Sequence, residues 1–197
     1  CLNSHDPLWQ TIDKPKQVMA VRGPLTRGVL IQHGIDCPKI YGDPALLFPK
    51  YYFPKIEKKY QYGVILHAST DITQSVTSSL QSIYGDSVLM INPKKFSKWN
   101  EFIDSILSCE TILSSSLYGI IIADAYKVPN VWISITNKEH PDNNFKFKDY
   151  FMSVNKDILS PISVYDRLLI QEAIKHWCVP VIDLDKLLEV CPLINNF

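Results

Sequence analysis

Three serines stand in a row at Ser114–Ser116, between one apolar run and another. Where a strand hands over to a helix, such a row can present hydroxyls and backbone N–H groups to a carboxylate or phosphate, backed by the positive end of the helix dipole. A single serine N-cap would use only one of the three. His67 ends the run Ile65-Leu66-His67, where an imidazole can exchange a proton with a bound molecule or serve only as a hydrogen-bonded strand end. Arg22 follows Val18–Val21 and precedes Gly23. Its planar, permanently charged fork suits bidentate capture of a carboxylate or phosphate, although arginines are common on surfaces. Asn92 ends a further β-rich run. Anion binding and proton transfer are therefore the chemistry within reach. No metal site is expected, because the five cysteines are scattered and His176 and Cys178 stand too close and too alone for one. His5, His33 and His140 have no partner pattern and read as structural or solvated.

The elements that would position these residues alternate along the chain. Strands are expected at Tyr62–His67, Ser87–Asn92, Thr111–Ser114 and Asn130–Ile135. Between the first two, Val76, Leu80, Ile83 and Tyr84 fall on one helical face, behind Thr73 as a cap and ahead of Gly85 as a stop. Trp99, Phe102, Ile103, Ile106 and Leu107 repeat the pattern behind Ser97. Tyr118–Tyr126 is apolar on nearly every side, which predicts a buried helix. Alternation of this kind is the signature of βαβ units and a parallel sheet. In such sheets ligands bind beyond the carboxyl ends of the strands, which places His67, Asn92 and Ser114–Ser116 on one rim.

Upstream, Val18–Val21 reads as a strand and Leu25–His33 as a helix started by Pro24, with a second short strand near Ile40 and a turn at Gly42-Asp43-Pro44. The stretch Lys50–Lys59, with Pro54 and four lysines, reads as a hinge. The expected organisation is the end of a first lobe over 1–50, a linker over 51–59, and a second lobe over 60–197. That second lobe closes with a polar loop at Asn137–Asn144, an aromatic-basic segment, a helix around Val164–Trp177 and a last helical turn at Asp185–Val190.

Composition narrows the partners. The 20 basic and 20 acidic side chains cancel, so no long-range field favours nucleic acid, and any anion site must be built locally. No apolar run approaches the ~20 residues that span a bilayer, and nothing reads as a signal peptide. A cytoplasmic protein with reduced cysteines is expected. The chain begins at Cys1 rather than methionine, as a fragment or processed product would.

Several ordered motifs then combine. Val21-Arg22-Gly23-Pro24-Leu25-Thr26-Arg27, Gly42-Asp43-Pro44-Ala45-Leu46-Leu47, Ile65-Leu66-His67, Ser114 through Ala125, and Phe145-Lys146-Phe147-Lys148-Asp149-Tyr150 resemble, in that order, the polysaccharide pyruvyl transferase family, in its exopolysaccharide ketal-forming branch. The resemblance runs from about Val18 to the end. It implies two Rossmann-like lobes in a GT-B-like architecture, with the first lobe incomplete here by about a hundred residues, a sub-domain's worth.

The resemblance also implies a reaction: the pyruvyl unit of phosphoenolpyruvate passes to two hydroxyls of a sugar or lipid-linked oligosaccharide, giving a ketal and phosphate. No cofactor beyond the donor is implied, and peripheral membrane association is left open. On this footing Arg22 clamps one anionic group of the donor, Ser114, Ser115 and Ser116 hold the other with Asn92 nearby, and His67 is the acid or base. Where the family usually has histidine after Ser-Leu, this chain has Tyr118. Phenols ordinarily ionise near pH ~10 and carry protons less readily at neutral pH. Lys146 and Lys148, alternating with aromatics, could meet the acceptor, or the run could be strand-like with its aromatics packed inward. Two other readings remain: a nucleotide-sugar glycosyltransferase of the same architecture, with Asp71 as the candidate ribose carboxylate, and a non-catalytic binding subunit prompted by Tyr118.

Overall fold

The computed structural model describes residues 14–67, 74–135 and 144–191. Thr73, Asp71, His5, His140 and the loop from 137 to 143 lie outside the described residues. The chain divides into two compact units, each assembled from separate stretches. One holds residues 14–47, 144–159 and 180–191, the other residues 48–67, 74–135 and 160–179.

The larger unit is an α/β layer structure around a five-stranded, all-parallel sheet. Its strands are β1 (Tyr60–Ile65), β2 (Val88–Ile91), β3 (Cys109–Ser114), β4 (Asn130–Ser134) and β5 (Ile162–Ser163), in the spatial order β2-β1-β3-β4-β5. The middle strands are buried almost end to end, as they must be when helices cover both faces of a parallel sheet. Of the helices α2 (Gln74–Tyr84), α3 (Trp99–Leu107), α4 (Leu117–Ala125) and α6 (Arg167–Lys175), the first two show the predicted apolar stripes. Leu80 and Tyr84 of α2 and Ile103 and Ile106 of α3 are buried. Leu66, Leu80, Leu113, Ile133 and Ile170 belong to one core cluster.

Local chemistry fixes the ends. Gly85 stops α2 with φ +81, its N–H donating to Gln81 O at 2.8 Å, a conformation that suits a residue with no Cβ. Ahead of α3, Ser97 donates its N–H and its hydroxyl to the two carboxylate oxygens of Glu101 at 3.0 and 2.9 Å. The backbone N–H first, and the hydroxyl after it, hold Glu101 below the usual carboxylate range. Residues 48–59 belong to this unit. There Tyr52 donates to Asp104 Oδ1 at 2.7 Å and accepts, at its carbonyl, the hydroxyl of Tyr126 at 2.6 Å.

The smaller unit carries α1 (Pro24–Gln32), α5 (Phe145–Ser153) and α7 (Leu184–Glu189), with α1 packed on α5. Two expectations are corrected here. Val18–Val21 and the stretch near Ile40 form no ladder; a single parallel bridge joins Val21 to Tyr41, and α1 begins at Pro24, directly after Gly23. Gly42, at φ +133, also lies where a Cβ would meet Leu187 Cδ2 at 2.9 Å. Second, Phe145–Tyr150 is the start of a helix and not a strand. Its alternating Phe and Lys mimic a two-residue period, but the buried set Phe147, Tyr150 and Phe151 has the i, i+3, i+4 spacing of one helical face.

Candidate functional site

The order β2-β1-β3-β4-β5 reverses direction between β1 and β3, so the helices that follow those two strands cover opposite faces, and the carboxyl ends of β1 and β3 form the topological switch point at which open α/β sheets bind ligands. His67 and the serine row meet at that switch point. In register, Ile65 lies opposite Ser114. One residue further on, the Ser115 N–H donates to Ile65 O at 2.9 Å, and the His67 N–H donates to Ser115 Oγ, also at 2.9 Å. The half-buried His67 is thereby tied to the turn into α4.

The three serines divide the work. Ser114 is fully buried; its hydroxyl donates to Ser116 O at 2.8 Å and accepts the Ser116 N–H at 3.1 Å, which builds the tight turn itself. Ser115 holds His67. Ser116 is the N-cap of α4 by its backbone, with no capping bond from its side chain. The first N–H groups of a helix have no acceptor within it, so the α4 N-terminus carries partial positive charge at the switch point. Gly119 allows this close fit, since a Cβ there would fall inside contact distance of Ser114 Oγ and 2.9 Å from Ile65 Cδ1. On the outer side of that first turn, Tyr118 is 63% exposed. Behind it α4 is buried almost all round, as its composition predicted, and its buried Asp124 accepts from Asn130 Nδ2 at 2.6 Å.

Asn92 follows β2, and its side-chain oxygen accepts the Lys94 N–H at 3.0 Å, forming a local turn of the kind asparagine favours. The structure thus brings His67, Ser114, Ser115, Ser116 and Tyr118 to one sheet edge, with Asn92 beyond the neighbouring strand. Asp71 lies outside the described residues. Arg22, Lys146 and Lys148 belong to the smaller unit.

There a residue that the sequence did not single out organises the surroundings of Arg22. Gly23 caps α1 without a side chain to offer, and the carboxylate of Asp149, brought in by α5, takes that role. Asp149 Oδ1 accepts the N–H groups of Leu25 at 2.8 Å and Thr26 at 3.0 Å, while Oδ2 accepts the Thr26 hydroxyl at 2.6 Å. Arg22 Nε lies 3.9 Å from Oδ2, with the arginine side chain 18% exposed and the aspartate side chain fully buried. Gly23 is needed for the approach, because a Cβ there would fall on the Asp149 backbone. The signal was present in sequence as one acid inside an aromatic helix, Phe147-Lys148-Asp149-Tyr150. Lys146 and Lys148 are half-buried on the same helix, and Lys146 Nζ sits 5.6 Å from the Phe147 ring centroid.

Burial keeps the described core thiols protonated. It raises Cys37 above its ordinary value and pushes Cys109 up to about 11. Among the described residues, no helix is long and apolar enough to cross a membrane.

The chain is 30% identical over 139 residues to an uncharacterized protein of Acanthamoeba polyphaga mimivirus, covering 68% of this chain and 47% of that one. It is 31% identical over 146 residues to the succinoglycan biosynthesis protein ExoV of Rhizobium meliloti, covering 69% of this chain and 40% of that one. The matches thus span less than half the length of these curated relatives. No solved structure matches. The sequence profile of polysaccharide pyruvyl transferases matches residues 3–137, a stretch that includes Arg22, His67 and the whole serine turn. With that match over most of its length, the chain belongs to the polysaccharide pyruvyl transferase family.

Proposed function

We propose that the protein transfers the pyruvyl group of phosphoenolpyruvate to two hydroxyls of a sugar in an exopolysaccharide or cell-envelope glycan. A cyclic ketal forms and phosphate is released. The observation that carries this reading is the bonded pair at the switch point, His67 and Ser115, beside the N-terminus of α4. Family membership supplies the reaction class.

The donor's chemistry states what a site must do. Its methylene carbon takes a proton, which leaves cationic character at C2. One sugar hydroxyl bonds to C2 and gives up its proton; the C2–O bond to phosphate then breaks, and the second hydroxyl closes the ring as it loses its own. An acid is needed for the first step and fixed donors for the carboxylate and phosphate throughout. His67 is assigned as the acid, and Tyr118, on the exposed side of the α4 turn, as a hydrogen-bond donor to the reacting group. Ser116 and the first N–H groups of α4 are assigned to an anionic group of the donor, with Ser114 and Ser115 shaping the turn that presents them. Arg22 is assigned to anion binding, and Lys146 and Lys148 to an acceptor sugar.

The test is phosphate release from phosphoenolpyruvate by the complete protein, against a panel of lipid-linked and nitrophenyl glycosides. Release that requires one class of acceptor supports the assignment. Binding of phosphoenolpyruvate with no release against any acceptor would favour the binding-subunit reading, for which Tyr118 in place of the family's histidine is the specific observation. A melting-temperature shift with a nucleotide sugar, and none with phosphoenolpyruvate, would favour a glycosyltransferase.

A further inference from the structure

Resting on the transferase reading, we propose that Trp99, with Asn100 and Asp104 beside it, forms a sugar-binding platform that holds the acceptor glycan beyond the ring that reacts.

Single apolar side chains are common on surfaces, but Trp99 is exposed and held in place at once. It is 64% exposed at the start of α3. Phe48 lies nearly parallel to it, with 6.2 Å between ring centroids at 17°, and Tyr52 meets it edge-on at 5.1 Å and 70°. An indole fixed by two neighbours loses little freedom when a ligand binds. Beside the rings runs a polar network. The Tyr52 hydroxyl donates to Asp104 Oδ1 at 2.7 Å, and Asn100 Nδ2 donates to Asp104 Oδ2 at 3.1 Å and to the Tyr52 hydroxyl at 3.2 Å. Asn100 and Asp104 are half-buried, so the network stays within reach of solvent. Both amide hydrogens of Asn100 are taken up in it, which leaves the amide oxygen and the spare lone pairs of Asp104 as acceptors for hydroxyl donors.

A pyranose ring has the matching chemistry. Its axial C–H groups make an apolar face, which the negative face of an aromatic ring attracts, and its hydroxyls stand around the rim where fixed acceptors can take them. A hydrocarbon chain would use the indole and leave the carboxylate unmet. A phosphate would meet that carboxylate as a like charge. A neutral sugar satisfies both halves of the surface.

Topology sets the platform beside the candidate site. β2 and β3 both end at the carboxyl edge of the parallel sheet, so the helices that follow them, α3 and α4, both begin toward that edge. These helices pack side by side, and packed helices lie about 8–10 Å apart. Trp99 opens α3, while Ser116 caps α4 and Tyr118 lies in its first turn. Tyr52 spans the same pair of helices, its hydroxyl on Asp104 of α3 and its carbonyl taking the hydroxyl of Tyr126, the cap that ends α4, at 2.6 Å. A glycan whose reacting ring lies at the switch point thus continues over the start of α3.

The test compares the complete wild-type protein with Trp99→Ala and Trp99→Leu. Binding of cello-, laminari- and malto-oligosaccharides is followed by calorimetry without donor, and phosphate release from phosphoenolpyruvate is measured against nitrophenyl glycosides that carry a single sugar or a chain. At least one oligosaccharide series should bind the wild type, and Trp99→Ala should weaken it about tenfold, the effect of truncating an aromatic anchor. The same variant should raise KM for chain acceptors by a like factor, and much less for single-sugar glycosides. Trp99→Leu keeps an apolar contact for Phe48 and Tyr52 but lacks the flat ring, so it should bind as poorly as alanine at the wild-type melting temperature; it carries the test should the alanine variant fail to fold. Binding that both variants retain, or an equal rise in KM for single sugars and chains, would overturn the platform and leave the transferase reading standing. Oligosaccharide binding that both variants lose, with no phosphate release by the wild type, would do the reverse. Neither binding nor release by the wild type would overturn both.

Discussion

The N–H of His67 donates to Ser115 Oγ at 2.9 Å, so the residue assigned to proton transfer hangs from the turn that starts α4. Its position is therefore a property of two strands and a helix together. β1 delivers His67, β3 delivers Ser115, and the Ser115 N–H returns to Ile65 O. Substitutions in the turn should consequently reach the chemistry without touching the imidazole.

Ser115→Ala removes the acceptor for a half-buried N–H, which should cost about 1–2 kcal/mol of stability and leave the fold intact. Phosphate release should fall on the order of tenfold, through kcat more than through the donor's KM, because the backbone that carries the imidazole loses its anchor while the ring itself is unchanged. Steady-state kinetics beside urea unfolding of the same variant separate the two effects.

His67→Gln keeps a hydrogen-bonding side chain but cannot carry a proton. If His67 is the acid, kcat should fall by roughly 10²–10⁴-fold, and the pH dependence of kcat/KM should lose one limb. Tyr118→His, at a position 63% exposed and therefore tolerant of change, should raise phosphate release about tenfold or more and add a limb near neutral pH. An unchanged rate in the histidine variant would show that the tyrosine is no handicap.

The parallel sheet was legible because its information is local. Apolar runs separated by helical stripes specify βαβ units, and the order of His67 and the serine row put both on one rim before any coordinates were needed. What was not legible depended on partners far along the chain. Val18–Val21 has the residues of a strand, but among the described residues its one bridge joins Val21 to Tyr41. Ile162–Ser163 has too little sequence to announce a strand and is one because β4 lies beside it. Phe145–Tyr150 offered two periods at once, and burial against α1 chose the helical one. The role of Asp149 was hidden for the same reason, since its hydrogen-bond partners lie more than a hundred residues upstream.

Gly119→Ala tests the closeness of the α4 turn. The added methyl would press on Ser114 Oγ and on Ile65 Cδ1, and neither can withdraw, because Ser114 is bonded within the turn and Ile65 is fully buried. Overpacking of this kind costs about 1–3 kcal/mol, of which alanine's helix propensity returns about 0.5–1 kcal/mol. Chemical denaturation should show the loss, and activity should drop with it, since relief requires the turn holding Ser115 and Ser116 to move.

Alkaline stability should report the buried thiol at Cys109 and the two tyrosines Tyr84 and Tyr126. Burial pushes Cys109 from its ordinary 9.0 up to about 11, and each tyrosine from 10.0 up to about 12. For a group whose folded value is raised, the unfolded chain releases its proton first, so stability is whole below the unfolded value and falls as pH rises toward the folded one. The protein should therefore lose melting temperature from about pH 9 upward, first through Cys109 with Cys37 acting in the same direction, and then, above about pH 10, through the tyrosines. Lys58 works against this trend in the same range. Burial lowers its folded value below 10.5, so the unfolded chain holds that proton longer and stability gains with pH. Cys109→Ala isolates the thiol: melting temperature followed from pH 8 to 11 should decline less steeply than in the wild type, even though the variant starts lower for the packing it has lost. Equal slopes would mean that the thiol does not titrate in this window.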